Sequence, residues 1–312
     1  MEAEVGGFLA AVVGPTASGK TALALELARR IPLEVISCDS QAVYRGMDVG
    51  TAKPTPEERA EVAHHLVDVA AIGEDFSVAR YIEIADAAIA GVRARGKLPL
   101  VVGGTGLYLR ALLFGIVEAP PKDEALRARL EALGGPALHR RLEEVDPEAA
   151  ARIPPGDLVR LVRALEVYEL TGKPISEHHR AHVQKARYRA LVLGVTPPRA
   201  ELYRRVDERA VKMVEAGLFE ETRRLAKEPA ARAHLRKVIG YAEALEVLEG
   251  KMGEAEAITR IQQAQRHYAK RQLTWFRKMD VRWLPWPPDP DAVAEEIRQA
   301  RDFPGETAGR AP

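Results

Sequence analysis

Asparagine is absent from the chain, cysteine occurs once, and no apolar run approaches the roughly 18 residues that a membrane-spanning helix needs. Each absence removes a class of explanation. A single thiol, Cys38, excludes an intramolecular disulfide and a cysteine-rich zinc site, and a small buried residue at a strand end is its expected role. The start, MEAEVGG, is short and acidic, so neither a targeting segment nor a membrane is expected and the chain reads as cytoplasmic. Formal charge is only +1 over 312 residues, so there is no global basic field. Any attraction to nucleic acid has to come from local clusters. Missing Asn with abundant Arg, Glu, Ala and Pro suits a thermophile, and GC-rich coding would leave the same mark.

With 46% hydrophobic residues the chain can bury a large core, and the stretch that organises it is FLAAVVGPTASGKTALALELAR, residues 8–29. A β-branched apolar run breaks into Gly14-Pro15-Thr16-Ala17-Ser18-Gly19-Lys20-Thr21, and a segment of helical spacing follows. The loop matches GxxxxGK[ST] between strand and helix, so its amides and the helix start should cradle a diphosphate or triphosphate. Lys20 would neutralise phosphate oxygens, and the Thr21 hydroxyl would ligate Mg²⁺. The loop leaves open whether the phosphate is transferred, hydrolysed or expelled.

Further buried strands are expected at Leu33 to Ser37, Leu98 to Val102 and Ala190 to Val195, with helices through Arg59 and His64 and from Ser77 to Arg95. This order predicts an α/β protein with a P-loop doubly wound parallel sheet. From 120 to 188 the pattern is helical without a convincing strand, which predicts an all-helical insertion domain within a core of residues 1–119 and 189–300. Ala200 to Lys227 and Ala255 to Lys278 read as helices, Asp280 to Pro287 as a possible last strand, and 301–312 as a disordered tail. No internal repeat is present.

An ATPase usually carries an acid at the end of an apolar strand to hold Mg²⁺ and orient water, but Leu98 to Val102 runs into Gly103-Gly104-Thr105-Gly106. Asp39, after the second strand, is the acid well placed near the P-loop. It suits a general base facing an acceptor, or a partner of Mg²⁺ or the P-loop. Thr105 lies in a turn where backbone approaches a ligand closely, and could bond a substrate amine or a leaving oxygen. Residues 257–278 contain six Lys or Arg and no acid. A one-sign helix face in a nearly neutral protein favours a polyanion partner. A nucleoside or small-molecule kinase would account for residues 1–112 but not for that helix; a non-catalytic RNA-binding module would leave Lys20 and Thr21 idle.

Taken in order, GPTASGKT at 14–21, DSQAVYRGMDVGTAKP at 39–54, HHLVDV at 64–69, GGTGLYLRAL at 103–112, RLVRALEV at 160–167 and YAKRQLTWFR at 268–277 resemble the bacterial tRNA dimethylallyltransferases over nearly the whole chain. The resemblance implies transfer of a dimethylallyl group from dimethylallyl diphosphate to N6 of adenosine 37, beside the anticodon, in tRNAs reading codons that begin with U. It implies a helical insertion gripping the anticodon stem-loop and a donor channel through the core; Mg²⁺ at Thr21 and a monomer are expected beside it. Asp39 is then the base on N6, Thr105 its partner, and the P-loop the diphosphate cradle. Contacts to tRNA carry over to Asp39, Ser40, Gln41, Ala42, Thr105 and Arg127. They continue through Val159, Arg160, Leu161, Val162 and Arg163, then Arg236, Lys237, Val238, Ile239, Gly240 and Tyr241. The last group is Lys270, Arg271, Gln272, Leu273, Thr274, Trp275, Phe276 and Arg277. Ala42 and Val159 depart from the family pattern, since many members carry Gln at each.

Overall fold

The computed structural model describes residues 6–117, 119–182 and 185–302. Six parallel strands form one sheet: β1 (Phe8–Val13), β2 (Leu33–Cys38), β3 (His64–His65), β4 (Leu98–Gly103), β5 (Arg189–Gly194) and β6 (Arg282–Trp283), in the order β3-β2-β4-β1-β5-β6. Every residue of β1, β2 and β4 is buried, which is why β1 and β4 read as continuous apolar runs rather than alternating ones, while β2 buries Glu34 and Ser37 among its apolar residues. The period of two still sorts them. Leu9, Ala11 and Val13 face one helical layer, and Phe8, Ala10 and Val12 face the helices Lys20–Ala28 and Pro290–Asp302 on the other side.

Register decides where the chemistry sits. Val13 pairs with Gly103 and with Gly194, and Cys38 pairs with Gly103, so four strands end level. The P-loop, Asp39 and the Thr105 turn therefore leave the sheet along a single edge, the carboxyl edge where ligands bind in such sheets.

The helix expected through Arg59 and His64 stops at Glu61. Thr55 and Glu58 close a reciprocal cap at its start, and His64–His65 leaves to pair with Val35 and Ile36 at the sheet edge. The stretch read as one helix from Ala200 is two, Arg199–Glu215 and Leu218–Leu225, parted at Gly217, where φ is +97°. The last strand shrinks to two residues.

Contacts divide the chain into an α/β unit, Met1–Phe114 with Ala186–Pro312, and a second unit, Gly115–Lys185, so the division falls at 115 and 185 rather than at 120 and 188. Arg187 and Tyr188 belong with the α/β unit, because both bind the Asp86 carboxylate. Among its described residues the second unit is helical and has its own core of Leu126, Leu130, Leu138, Leu142, Leu161 and Leu165. Arg301 and Asp302 end the final helix, and the remainder of the expected tail, 303–312, lies outside the described residues. Among the described residues no helix is long and apolar enough to cross a membrane.

Candidate active site

Local sterics dictate the P-loop's glycines. A Cβ on Gly14 would lie 2.1 Å from the Val195 carbonyl oxygen, and Gly19 opens the helix Lys20–Ala28 at φ +89°. Ala17 holds a left-handed backbone at φ +60°, and its carbonyl accepts from Arg205 Nε at 2.9 Å while that guanidinium lies over Trp286. Ser18 Oγ is fully buried and has no partner, and Lys20 Nζ donates to Pro15 O at 2.6 Å. Such a loop, with an orphaned hydroxyl and an ammonium turned back on backbone, is a cradle for an anion. The Thr16 amide is engaged elsewhere: it donates to Gln272 Oε1 at 2.8 Å.

Asp39 begins an Asx turn, its Oδ1 accepting the amides of Gln41 (2.8 Å) and Ala42 (3.2 Å). Oδ2 has no hydrogen-bond partner among the described residues, so one oxygen holds the carboxylate while the other is available to a substrate. Thr105 Oγ1 accepts from Ser40 N at 3.0 Å, and its amide donates to Cys38 O at 3.1 Å. The glycines around it have packing causes. A Cβ on Gly103 would lie 2.0 Å from Cys38 O, on Gly104 2.1 Å from Gln272 Nε2, and on Gly106 2.0 Å from the Trp275 ring. Burial pushes the Cys38 thiol up to about 12, which removes it as a nucleophile.

These segments enclose a chamber of about 340 Å³, within the usual range for small-ligand sites. Thr16, Lys20, Thr21 and Asp39 to Ala42 line it, together with Arg209, Met213, Lys237 to Ile239, Tyr268 and Arg271. Arg209 donates to Thr51 O at 3.1 Å and keeps a buried Nε without a partner. Burial, followed by the nearby Arg209 charge, lowers Lys20 to about 7 against the opposing pull of Asp39. Two cations confined beside one carboxylate call for a further anion.

A pH dependence follows. Diphosphate entering the chamber favours the charged amine, so binding takes up a proton near pH 7 and affinity falls as pH rises above it. Calorimetry with inorganic diphosphate in buffers of different ionisation enthalpy should register this uptake as a difference in proton exchange between the parent and Lys20→Met, since the ligand's own titration is common to both. Equal proton exchange in the two proteins would rule it out.

A second cavity of about 1010 Å³ adjoins the chamber and shares Ala52, Lys53, Pro54, Arg209 and Met213 with it. Lys53 is fixed there by Tyr44 O (2.5 Å), Asp48 (2.8 Å) and Asp68 (2.6 Å). Burial works to raise the Asp68 carboxyl, but hydrogen bonds from Lys53 and Arg59 outweigh it and hold the group below the usual carboxylate range. Glu221 takes the amides of Asp48, Val49 and Gly50 together with the Tyr241 hydroxyl, which anchors the start of the same wall. For a metal, the described residues offer no cluster of three His, Cys, Asp or Glu side chains, so an ion here would rest on Thr21 and on ligand oxygens.

Several side chains placed on tRNA by resemblance are not available to it. Gln272 and Phe276 are buried, Leu273 packs on Leu202 and Val206, and Trp275 lies against Gly106. Tyr241 is fully buried on Glu221, whereas Arg236, paired with Glu249, and Lys237 are exposed, and Lys237, Val238 and Ile239 line the chamber, within reach of a bound substrate. In the second unit Leu161 and Val162 belong to the core, while Arg127 and Arg163 neutralise the buried Glu166. Val159, 72% exposed, and Arg160 remain on its surface. On helix Glu254–Phe276 the one-sign face is smaller than its sequence suggests. Arg260 pairs with Glu246 and Glu256, and Arg266 with Asp207. Lys270, Arg271, Thr274 and Arg277 are exposed, and these three cations have no acidic partner among the described residues.

Comparison with known proteins bears on this arrangement. The IPP transferase family pattern matches residues 42–279, and an isopentenyl transferase pattern matches residues 8–74. A tRNA dimethylallyltransferase of Anaeromyxobacter sp. (strain Fw109-5) is 53% identical over 93% of this chain and 98% of its own length. That of Geobacillus kaustophilus is 47% identical over 88% and 90%. Among solved structures, a tRNA isopentenylpyrophosphate transferase from Bacillus halodurans superposes with a TM-score of 0.69 at 39% identity, covering 95% of this chain and 97% of that one. A eukaryotic dimethylallyltransferase caught acting on tRNA gives a TM-score of 0.83 at 27% identity, covering 98% and 82%. With a sheet edge, P-loop and Asp39 turn of this kind, and with such likeness along almost its full length, the chain belongs to the IPP transferase family, that of the tRNA dimethylallyltransferases.

Proposed function

We propose that this chain transfers the dimethylallyl group of dimethylallyl diphosphate to N6 of adenosine 37 in tRNAs reading codons that begin with U, forming N6-(dimethylallyl)adenosine and releasing diphosphate. The observation that carries the reading is the single chamber in which Lys20 and Arg209 lie beside the Asp39 carboxylate. Relatives named for this activity, and a solved relative acting on tRNA, support it.

The chemistry matches that placement. The exocyclic amine is a weak nucleophile because its lone pair is delocalised into the ring, so a base that takes its proton as bonding begins is useful. N6 attacks the allylic C1 as the C1–O bond breaks, the bonding pair leaves with diphosphate, and the N6 proton passes to Asp39 Oδ2. Lys20, Arg209 and the P-loop amides meet the charge growing on the leaving group. Thr105, through Ser40, holds the Asp39 turn in place. Mg²⁺ at the Thr21 hydroxyl would add positive charge at the diphosphate. Adenine reaches the chamber by leaving its stack, which an anticodon loop permits at low cost.

The test is to incubate the protein with bulk tRNA and either labelled dimethylallyl diphosphate or labelled ATP. Label moving from the prenyl donor to tRNA adenosine supports the reading; phosphate moving from ATP overturns it in favour of a kinase. A separate expectation concerns the exposed helix face. Changing Lys270 and Arg277, which lie outside the chamber lining, together to Ala should weaken tRNA binding, leave turnover at saturating tRNA nearly intact, and flatten log affinity against log salt by roughly 1 to 2 units. An unchanged slope would place those cations off the nucleic acid.

A further inference from the structure

Gln272 is one of two glutamines in the buried stripe of its helix, lies between Ala269 and Phe276, and is 7% exposed. Both ends of its carboxamide are used. Oε1 accepts the Thr16 amide of the P-loop at 2.8 Å, and Nε2 donates to Gly104 O at 2.9 Å in the turn that carries Thr105. The partners fix the orientation of the group, since a backbone N–H requires the oxygen and a carbonyl requires the NH₂. Gly104 is glycine because the carboxamide occupies the space of a Cβ. From that turn Thr105 bonds Ser40 N, and the Asp39 carboxylate closes the same loop.

We propose that Gln272 is a positioning residue that sets the separation between the leaving-group cradle and the base. The inference rests on the prenyl-transfer reading above. One planar group, two hydrogen bonds long, spans the loop that binds the diphosphate and the turn that steadies the acceptor side. The attacking nitrogen and the allylic carbon have to meet within a narrow range of distance, and a misplacement of about 1 Å is enough to lose about 100-fold in rate. An apolar side chain of similar length would fill the space, but it would free the two loops from each other and leave two backbone groups unpaired.

The experiment compares the parent with Gln272→Met and with the isosteric Gln272→Glu, using labelled dimethylallyl diphosphate and tRNA. It measures single-turnover rate with both substrates saturating, the affinity of each substrate separately, and the melting temperature. Gln272→Met should lose roughly 10- to 100-fold in rate while each affinity stays within about threefold. Gln272→Glu keeps an acceptor for Thr16 N but sets a carboxylate oxygen against Gly104 O, so its rate should fall at least as far. Should the Met variant fail to fold, the Glu variant carries the test alone. Rates within about threefold of the parent, or a loss confined to donor affinity, would overturn the proposal and leave Gln272 a core residue. A parent that transfers no label overturns the functional reading and this inference with it, whereas a parent and variant that transfer equally well overturn the inference alone.

Discussion

Asp39→Ala is expected to slow single-turnover prenyl transfer by about two to four orders of magnitude, the usual worth of a positioned base, with a much smaller change in donor affinity. Asp39→Asn sharpens the test. The Asn side-chain oxygen can still accept the Gln41 and Ala42 amides, so the turn survives while the proton acceptor is lost. Both variants should therefore be slow, and the Asn variant should bind tRNA and donor like the parent. Rate and donor affinity across a Mg²⁺ series separate this from the other role an acid could have here. Restoration of the rate by added Mg²⁺, together with weakened donor binding, would reassign Asp39 to the phosphate site.

Lys20→Met is expected to lower kcat/KM for the donor by roughly 100- to 1000-fold, as loss of a preorganised donor to a developing oxyanion usually does. The expectation follows from its place inside the chamber, where burial and Arg209 already disfavour its charge in the free protein. An amine kept near neutrality regains its proton when the diphosphate arrives, and so interacts most strongly with the most highly charged form, the leaving group. Steady-state kinetics at fixed saturating tRNA measures the effect. Wild-type kcat/KM in the variant would show that the amine does not face the departing oxygen.

Much of this was readable before the fold was known. Phe8–Val13 is both the predicted and the observed first strand, because a strand buried on both faces has only apolar residues to show. The P-loop and Asp39 were legible because their backbone requirements leave fixed residue types at fixed spacing. The two-residue strand His64–His65 was not, since its pairing comes from the neighbouring Val35 and Ile36 and not from its own pattern. Arg209 was missed for a related reason: it is one of many arginines on a charged helix, and only tertiary packing turns it inward. Gln272 and Phe276 were placed on the tRNA by resemblance, which carried over the whole run from Lys270 to Arg277. The buried series Ala257, Ile261, Gln265, Ala269, Gln272, Phe276 recurs at three and four residues, and two glutamines within an apolar stripe were the available signal.

The chamber has walls of unequal stiffness. Residues 48–50 hang by three amides from Glu221, and a few positions on Lys53 is clamped by three oxygens, so that side is built from groups that would each lose a partner by moving. Met213, which lines the same chamber, is an unbranched thioether packed into the apolar core, held by one weak bond in which Gln265 Nε2 donates to its sulfur at 3.3 Å. On the prenyl-transfer reading, a protein engineer seeking to admit a longer donor tail would find room by trimming the methionine, while substitutions in the Asp48–Lys53 segment would strip partners from the wall that holds still.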